Sequence, residues 1–128
     1  MKNRNDLALH LMSEVAHFIL ESDPRRMIVS VHLEGDGFHL MMMDDLERDE
    51  KEIEEINGML HAAQRPELSG YYGSMTGLES LGQARLNMVG WQIKYGQIIQ
   101  REGGSRIDLL VGGRDFDPTP FELPGEGC

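Results

Sequence analysis

Two apolar runs on either side of a tight turn constrain this chain more than any other feature. Residues 27–33 (MIVSVHL) and 38–43 (FHLMMM) flank Glu34-Gly35-Asp36-Gly37, whose glycines can take the positive φ that a tight reversal needs. The pattern predicts an antiparallel hairpin. With Leu33 opposite Phe38, Val31 meets Leu40 and Val29 meets Met42 on one face, while Ser30 meets Met41 and His32 meets His39 on the other. One face is wholly apolar and must be covered. The second strand runs directly into Asp44-Asp45, so a carboxylate pair sits at the carboxyl end of a strand, where open sheets often hold ligands.

The remaining segments supply the cover. Residues 5–22 carry a helical period: Leu7, Leu11, Val15 and Phe18 share one side, Met12, Ala16, Ile19, Leu9 and Leu20 widen it, and His10, Glu14, His17 and Glu21 form a polar stripe opposite. Asn5 or Asp6 suits the start, and Pro24 ends the segment. From Asp44 to Gln64 a narrower stripe of Ile53, Ile56, Leu60 and Ala63 predicts a surface helix, whose first twelve residues hold eight acids and two bases. Residues 67–77 (ELSGYYGSMTG) read as a loop, and 78–95 as a third helix with Leu81, Ala84, Met88, Trp91 and Tyr95 on one side. Residues 96–102 and 105–113 flank Gly103-Gly104 as a second hairpin. The order predicts a single domain over residues 1–113, an α+β two-layer sandwich of a mainly antiparallel four-stranded sheet with helices on one face. Residues 114–128, with three prolines, read as a tail.

The totals narrow the partners. A net charge of −10 opposes binding to nucleic acid or an anionic membrane surface. A lone Cys128 cannot form an internal disulfide, and no long apolar run or leader is evident, so the expectation is a cytoplasmic protein. Three of the nine methionines, Met41 to Met43, share one strand, where flexible side chains suit core filling or an adaptable partner surface. The Met41/Met43 face or the tail offers a homodimer contact.

The order of elements resembles the GHKL ATP-binding domain of histidine kinases, anti-sigma-factor kinases, type II topoisomerases and heat-shock chaperones. The stretches that carry the likeness are Leu81-Gly82-Gln83-Ala84-Arg85-Leu86 and Ile98-Ile99-Gln100-Arg101-Glu102-Gly103-Gly104-Ser105-Arg106-Ile107-Asp108, similar to the family's last glycine-entered helix and closing hairpin. The resemblance covers about 100 residues in outline. It implies ATP or ADP as cofactor. Glu14 would be the general base, Asp44 or Asp45 the adenine-binding carboxylate, Gly70, Gly73 and Gly77 the phosphate-facing glycines, and Ser105 a further nucleotide contact in the hairpin. The sequence departs from the family at two points. The metal-binding asparagine has no counterpart, with His17 and Phe18 at its place, and Leu46-Glu47-Arg48 stands where a Gly-x-Gly turn would follow the Asp. Magnesium is therefore not expected. The implied function is a diverged histidine-kinase-like ATPase domain with weak or lost nucleotide binding, docking to a signalling protein. The alternative is an active ATP-dependent serine kinase of the anti-sigma-factor type.

Each candidate also has a structural reading. Asp44 with Glu47 three residues on is an acidic capping box that suits a helix start. The glycine loop before the third helix reads either as an anion nest or as an ordinary connection. His10, Glu14 and His17 share a helix face, but no second Glu-x-x-His exists to complete a di-iron pattern. His32 and His39 are cross-strand neighbours, a solvated pair unless a third ligand joins them. No Ser-His-Asp or Cys-His order identifies a nucleophile.

Overall fold

A computed structural model of the chain describes residues 4–64 and 92–113. In order these form α1 (Arg4–Leu20), β1 (Met27–Glu34), β2 (Gly37–Asp44), α2 (Glu50–Gln64), β3 (Gln92–Arg101) and β4 (Gly104–Gly112). The fold is α+β: the four strands make one antiparallel sheet in the order β1-β2-β4-β3, with helices packed against it. Each hairpin contributes one central and one edge strand. The β1–β2 register is the one the sequence predicts, with Leu33 opposite Phe38, Val31 opposite Leu40 and His32 opposite His39. Gly35, at φ 54°, takes the positive-φ position of the turn, as Gly103 does at φ 84° in the second hairpin.

Alternation decides what the sheet buries. Phe38, Leu40 and Met42 of β2 lie level with Val111, Leu109 and Ile107 of β4, and all six are buried in one cluster with Leu7, Leu11, Val15 and Ile19 of α1. These four α1 residues recur every four positions, so they form one line along the helix. Each is worth roughly 1.5–3 kcal/mol for leaving water. Ile56, Met59 and Leu60 of α2 join the same cluster alongside Ile93 and Ile98 of β3.

Two boundaries differ from the sequence reading. The second helix begins at Glu50 rather than Asp44, and its cap is Asp49: the Glu52 amide donates to Asp49 Oδ1 at 2.8 Å and the Ile53 amide to the Asp49 carbonyl at 3.0 Å. Asp44 ends a strand and caps no helix. Residues 92–95, read as the last turn of a third helix, belong to β3 instead. Pairing overrides their helical spacing, because Ile93 lies opposite buried Val111 and, after a register shift, Tyr95 lies opposite Leu110. The glycine loop 67–77, the third helix up to residue 91 and the tail 114–128 lie outside the described residues.

The α2 helix does more than cover a face. It runs beside β3, and the Asn57 side chain donates to the Ile98 carbonyl at 3.0 Å while accepting from the Ile98 amide at 2.8 Å. Ile98 lies opposite Ile107 in β4, so Asn57 takes the outward pair of backbone groups on that edge strand. One outward position of that edge is thereby satisfied by a side chain.

Candidate functional site

The predicted carboxylates sit where β2 leaves the sheet. Asp44 points into the helix-covered side, opposite Ser105, and its carboxylate is taken up locally. Oδ1 accepts the Leu46 amide at 2.9 Å, and Arg48 Nη1 lies 3.3 Å from both carboxylate oxygens. The two side chains are only 1% and 4% exposed. Burial makes this attraction strong and its disruption costly.

Residues 45–49 are stitched to the second hairpin around that pair. The Arg48 amide donates to Gln100 Oε1 at 2.9 Å, and Ser105 Oγ lies 3.0 Å from both that oxygen and the Leu46 carbonyl. Gln100 Nε2 then donates to the Gly104 carbonyl at 2.8 Å. Ser105 is thus engaged inside the network. Gly104 is required for the close approach: a Cβ there would collide with the Asp44 carbonyl oxygen. One buried nitrogen, Arg48 Nη2, has no hydrogen-bond partner.

Asp45 faces a different task. Its Oδ1 accepts the Arg25 amide at 2.9 Å, tying the segment before β1 to the end of β2. Desolvation pushes its pKa up, but hydrogen bonds from the Arg26 and Arg25 amides, with the Arg26 charge, outweigh this and hold it below the ordinary carboxylate value. A shallow cleft of about 200 Å³ opens here, lined by Arg26, Ile28, Met43, Asp44, Asp45 and Gly103.

The structure therefore brings Asp44, Asp45 and Ser105 to one end of the sheet. Glu14 lies on α1, half-buried, with Oε2 shielded from water and without a hydrogen-bond partner. Gly70, Gly73 and Gly77 fall outside the described residues. Among the described residues, no three His, Cys, Asp or Glu side chains are grouped to hold a metal ion. In the polar stripe of the first helix and its end, His17 Nε2 lies 3.6 Å from Glu21 Oε2 at the surface.

A second polar cluster lies on the sheet face away from α1. Asp108, 2% exposed, accepts Arg106 Nε at 2.9 Å and Arg106 Nη2 at 3.0 Å, and lies 2.8 Å from His39 Nε2. Desolvation raises the Asp108 pKa, yet the hydrogen bonds and charges of His39 and Arg106 reverse this and depress it. His32 Nε2, across the strand from His39, lies 3.2 Å from Glu34 Oε2. Arg48, Gln100, Asn57 and Asp108 are the contributors that composition and periodicity do not single out. The only local signal was alternation in SRIDLLV, which puts Asp108 beside Arg106 on one face. No helix among the described residues is long and apolar enough to cross a membrane. No protein-family model, curated protein or solved structure matches this chain.

Proposed function

We propose that this chain is a diverged histidine-kinase-like ATPase domain in which nucleotide binding is weak or lost, and that it acts as a regulatory module by docking to a signalling protein. The observation that supports this reading is the occupation of both carboxylates that the resemblance assigns to adenine. Asp44 is closed inside an ion pair with Arg48, and Asp45 holds the Arg25 amide. At Asp44 an adenine amino group would have to displace Arg48, whereas at the less buried Asp45 it would compete with the Arg25 amide. Removing one partner of a buried pair costs on the order of 3–5 kcal/mol. That is about the whole binding free energy of a millimolar ligand, roughly 4 kcal/mol. The missing helix asparagine removes the magnesium that would offset repulsion between a triphosphate and the acidic segment beginning at Asp44.

A second reading has one observation in its favour. Glu14 carries a buried carboxylate oxygen with no hydrogen-bond partner, the kind of group a general base presents to substrate. In that reading the protein is an ATP-dependent serine kinase of the anti-sigma-factor type. Calorimetric titration of the full chain with ATP and Mg²⁺, and separately with ADP, distinguishes the two, with Trp91 fluorescence as a parallel signal. The proposal expects no saturable binding at millimolar nucleotide. Submicromolar binding with turnover that Glu14→Gln abolishes would replace it with the kinase.

A further inference from the structure

The two outer strands of the sheet are treated very differently. On the β3 edge Asn57 takes up the outward groups of Ile98 and α2 lies beside the strand, whereas β1 has no neighbour on its outer side among the described residues. Its eight residues, MIVSVHLE, contain no proline, no lysine and no bulge, the usual devices that keep an edge from pairing. It also exposes apolar side chains on both faces, with Ile28 58%, Val29 38% and Leu33 41% exposed. In a hairpin closed by a two-residue turn, the flanking pair Glu34 and Gly37 is hydrogen-bonded. Met27, Val29, Val31 and Leu33 therefore turn their backbone N–H and C=O groups outward.

We propose that β1 pairs antiparallel with β1 of a second copy of this chain, with Ser30 on the two-fold axis, to make one continuous eight-stranded sheet. That register sets outward-turned residues against one another, Val29 against Val31 and Met27 against Leu33 of the other copy, for about eight new hydrogen bonds. It also places Arg26 opposite Glu34 of the other copy, twice, so opposite charges bracket the interface. The neighbouring register, centred on Val31, puts Ile28 against Glu34 and loses that match. On the α1 side the described residues leave room for the pairing: β2 of one copy and β2 of the other would stand about 14 Å apart, enough for the two α1 helices to lie side by side. Neither the Met41/Met43 face nor the tail is used.

Sedimentation equilibrium of the full chain under reducing conditions, from about 1 μM to 1 mM, tests this at this interface size. The average mass should rise from 14.5 kDa toward twice that value. Val29→Pro deletes an outward N–H without touching the β1–β2 ladder, and should abolish association while circular dichroism stays unchanged. Arg26→Glu should weaken association about tenfold, and Arg26→Glu with Glu34→Arg should restore it. A monomer throughout the range, or a dimer that survives Val29→Pro, would overturn the proposal. A dimer lost with Val29→Pro but indifferent to charge reversal would overturn the register.

Discussion

Truncating Asn57 to alanine tests whether α2 closes the β3 edge by hydrogen bonding or merely lies against it. Two bonds are lost, 2.8 Å and 3.0 Å long, both to the same backbone residue in a part-buried position. At about 1 kcal/mol net each they account for roughly 2 kcal/mol, and incomplete hydration of the orphaned Ile98 groups adds about 1 kcal/mol more. Alanine is the better helix former by about 0.6 kcal/mol, which works in the opposite direction. The expected net loss is therefore about 2–2.5 kcal/mol. Urea denaturation followed by far-ultraviolet circular dichroism measures it, and with a slope of about 2 kcal/mol/M the midpoint should fall by about 1 M. Asn57→Asp is the informative companion. A carboxylate can still accept the Ile98 amide but is repelled by the Ile98 carbonyl, so most of the loss should persist. If Asn57→Ala costs less than about 0.5 kcal/mol, water satisfies that edge as well as Asn57 does, and the closing role is refuted.

Three further outcomes follow from the polar clusters. Arg48→Met leaves the Asp44 carboxylate buried without its cation and should cost about 3–5 kcal/mol in denaturant titration, while Asp44→Asn with Arg48→Met should recover much of it. A cost below about 1 kcal/mol for the single change would show that the pair is not structural. Gly104→Ala places a Cβ against the Asp44 carbonyl and should lower the melting temperature by about 8 °C or more, from a cost of at least 2 kcal/mol. Asp108 has a folded pKa below its unfolded value near 3.9, so its pairing contributes stability above that pH, lost as pH falls through the depressed folded value. Stability measured from pH 5 downward should therefore fall less steeply in Asp108→Asn than in the parent, and an equal slope would remove Asp108 from the acid transition.

Much of the fold was legible because its signals are local. Period-two alternation and a glycine turn determine the β1–β2 register, since a slip of one residue would expose Phe38, Leu40 and Met42. The α1 stripe is similarly self-contained. The errors fall where a distant partner decides. Asp44 and Glu47 satisfy the spacing of a helix cap, but the chain stays irregular until Asp49 because Arg48 is drawn back onto Asp44 and its amide onto Gln100, 52 residues away. Residues 92–95 have a helix-compatible spacing, yet pairing with β4 places Ile93 against Val111. The site was legible only to the extent that Asp44 and Asp45 end a strand. Their engagement depends on Arg48, Arg25 and Gln100, and no periodicity relates residues that meet only after the sheet is assembled.

The difference between the two sheet edges also fixes how far association through β1 can go. A sheet open at both edges would add copies without limit, the route to fibres. Here Asn57 already occupies the outward groups of Ile98 on the β3 edge, and α2 stands beside that strand. If two β1 strands pair as proposed, both outer edges of the eight-stranded sheet are β3 edges with α2 beside them, so the assembly should stop at two copies. Removing the Asn57 amide should then have a second effect, separate from lost stability: it reopens the outer edge. In sedimentation at 1 mM the parent should stop at twice the chain mass, whereas Asn57→Ala should show species heavier than a dimer. Combining Asn57→Ala with Val29→Pro should remove the species heavier than a dimer, because growth needs both edges. A parent that already grows past two copies would refute closure by Asn57.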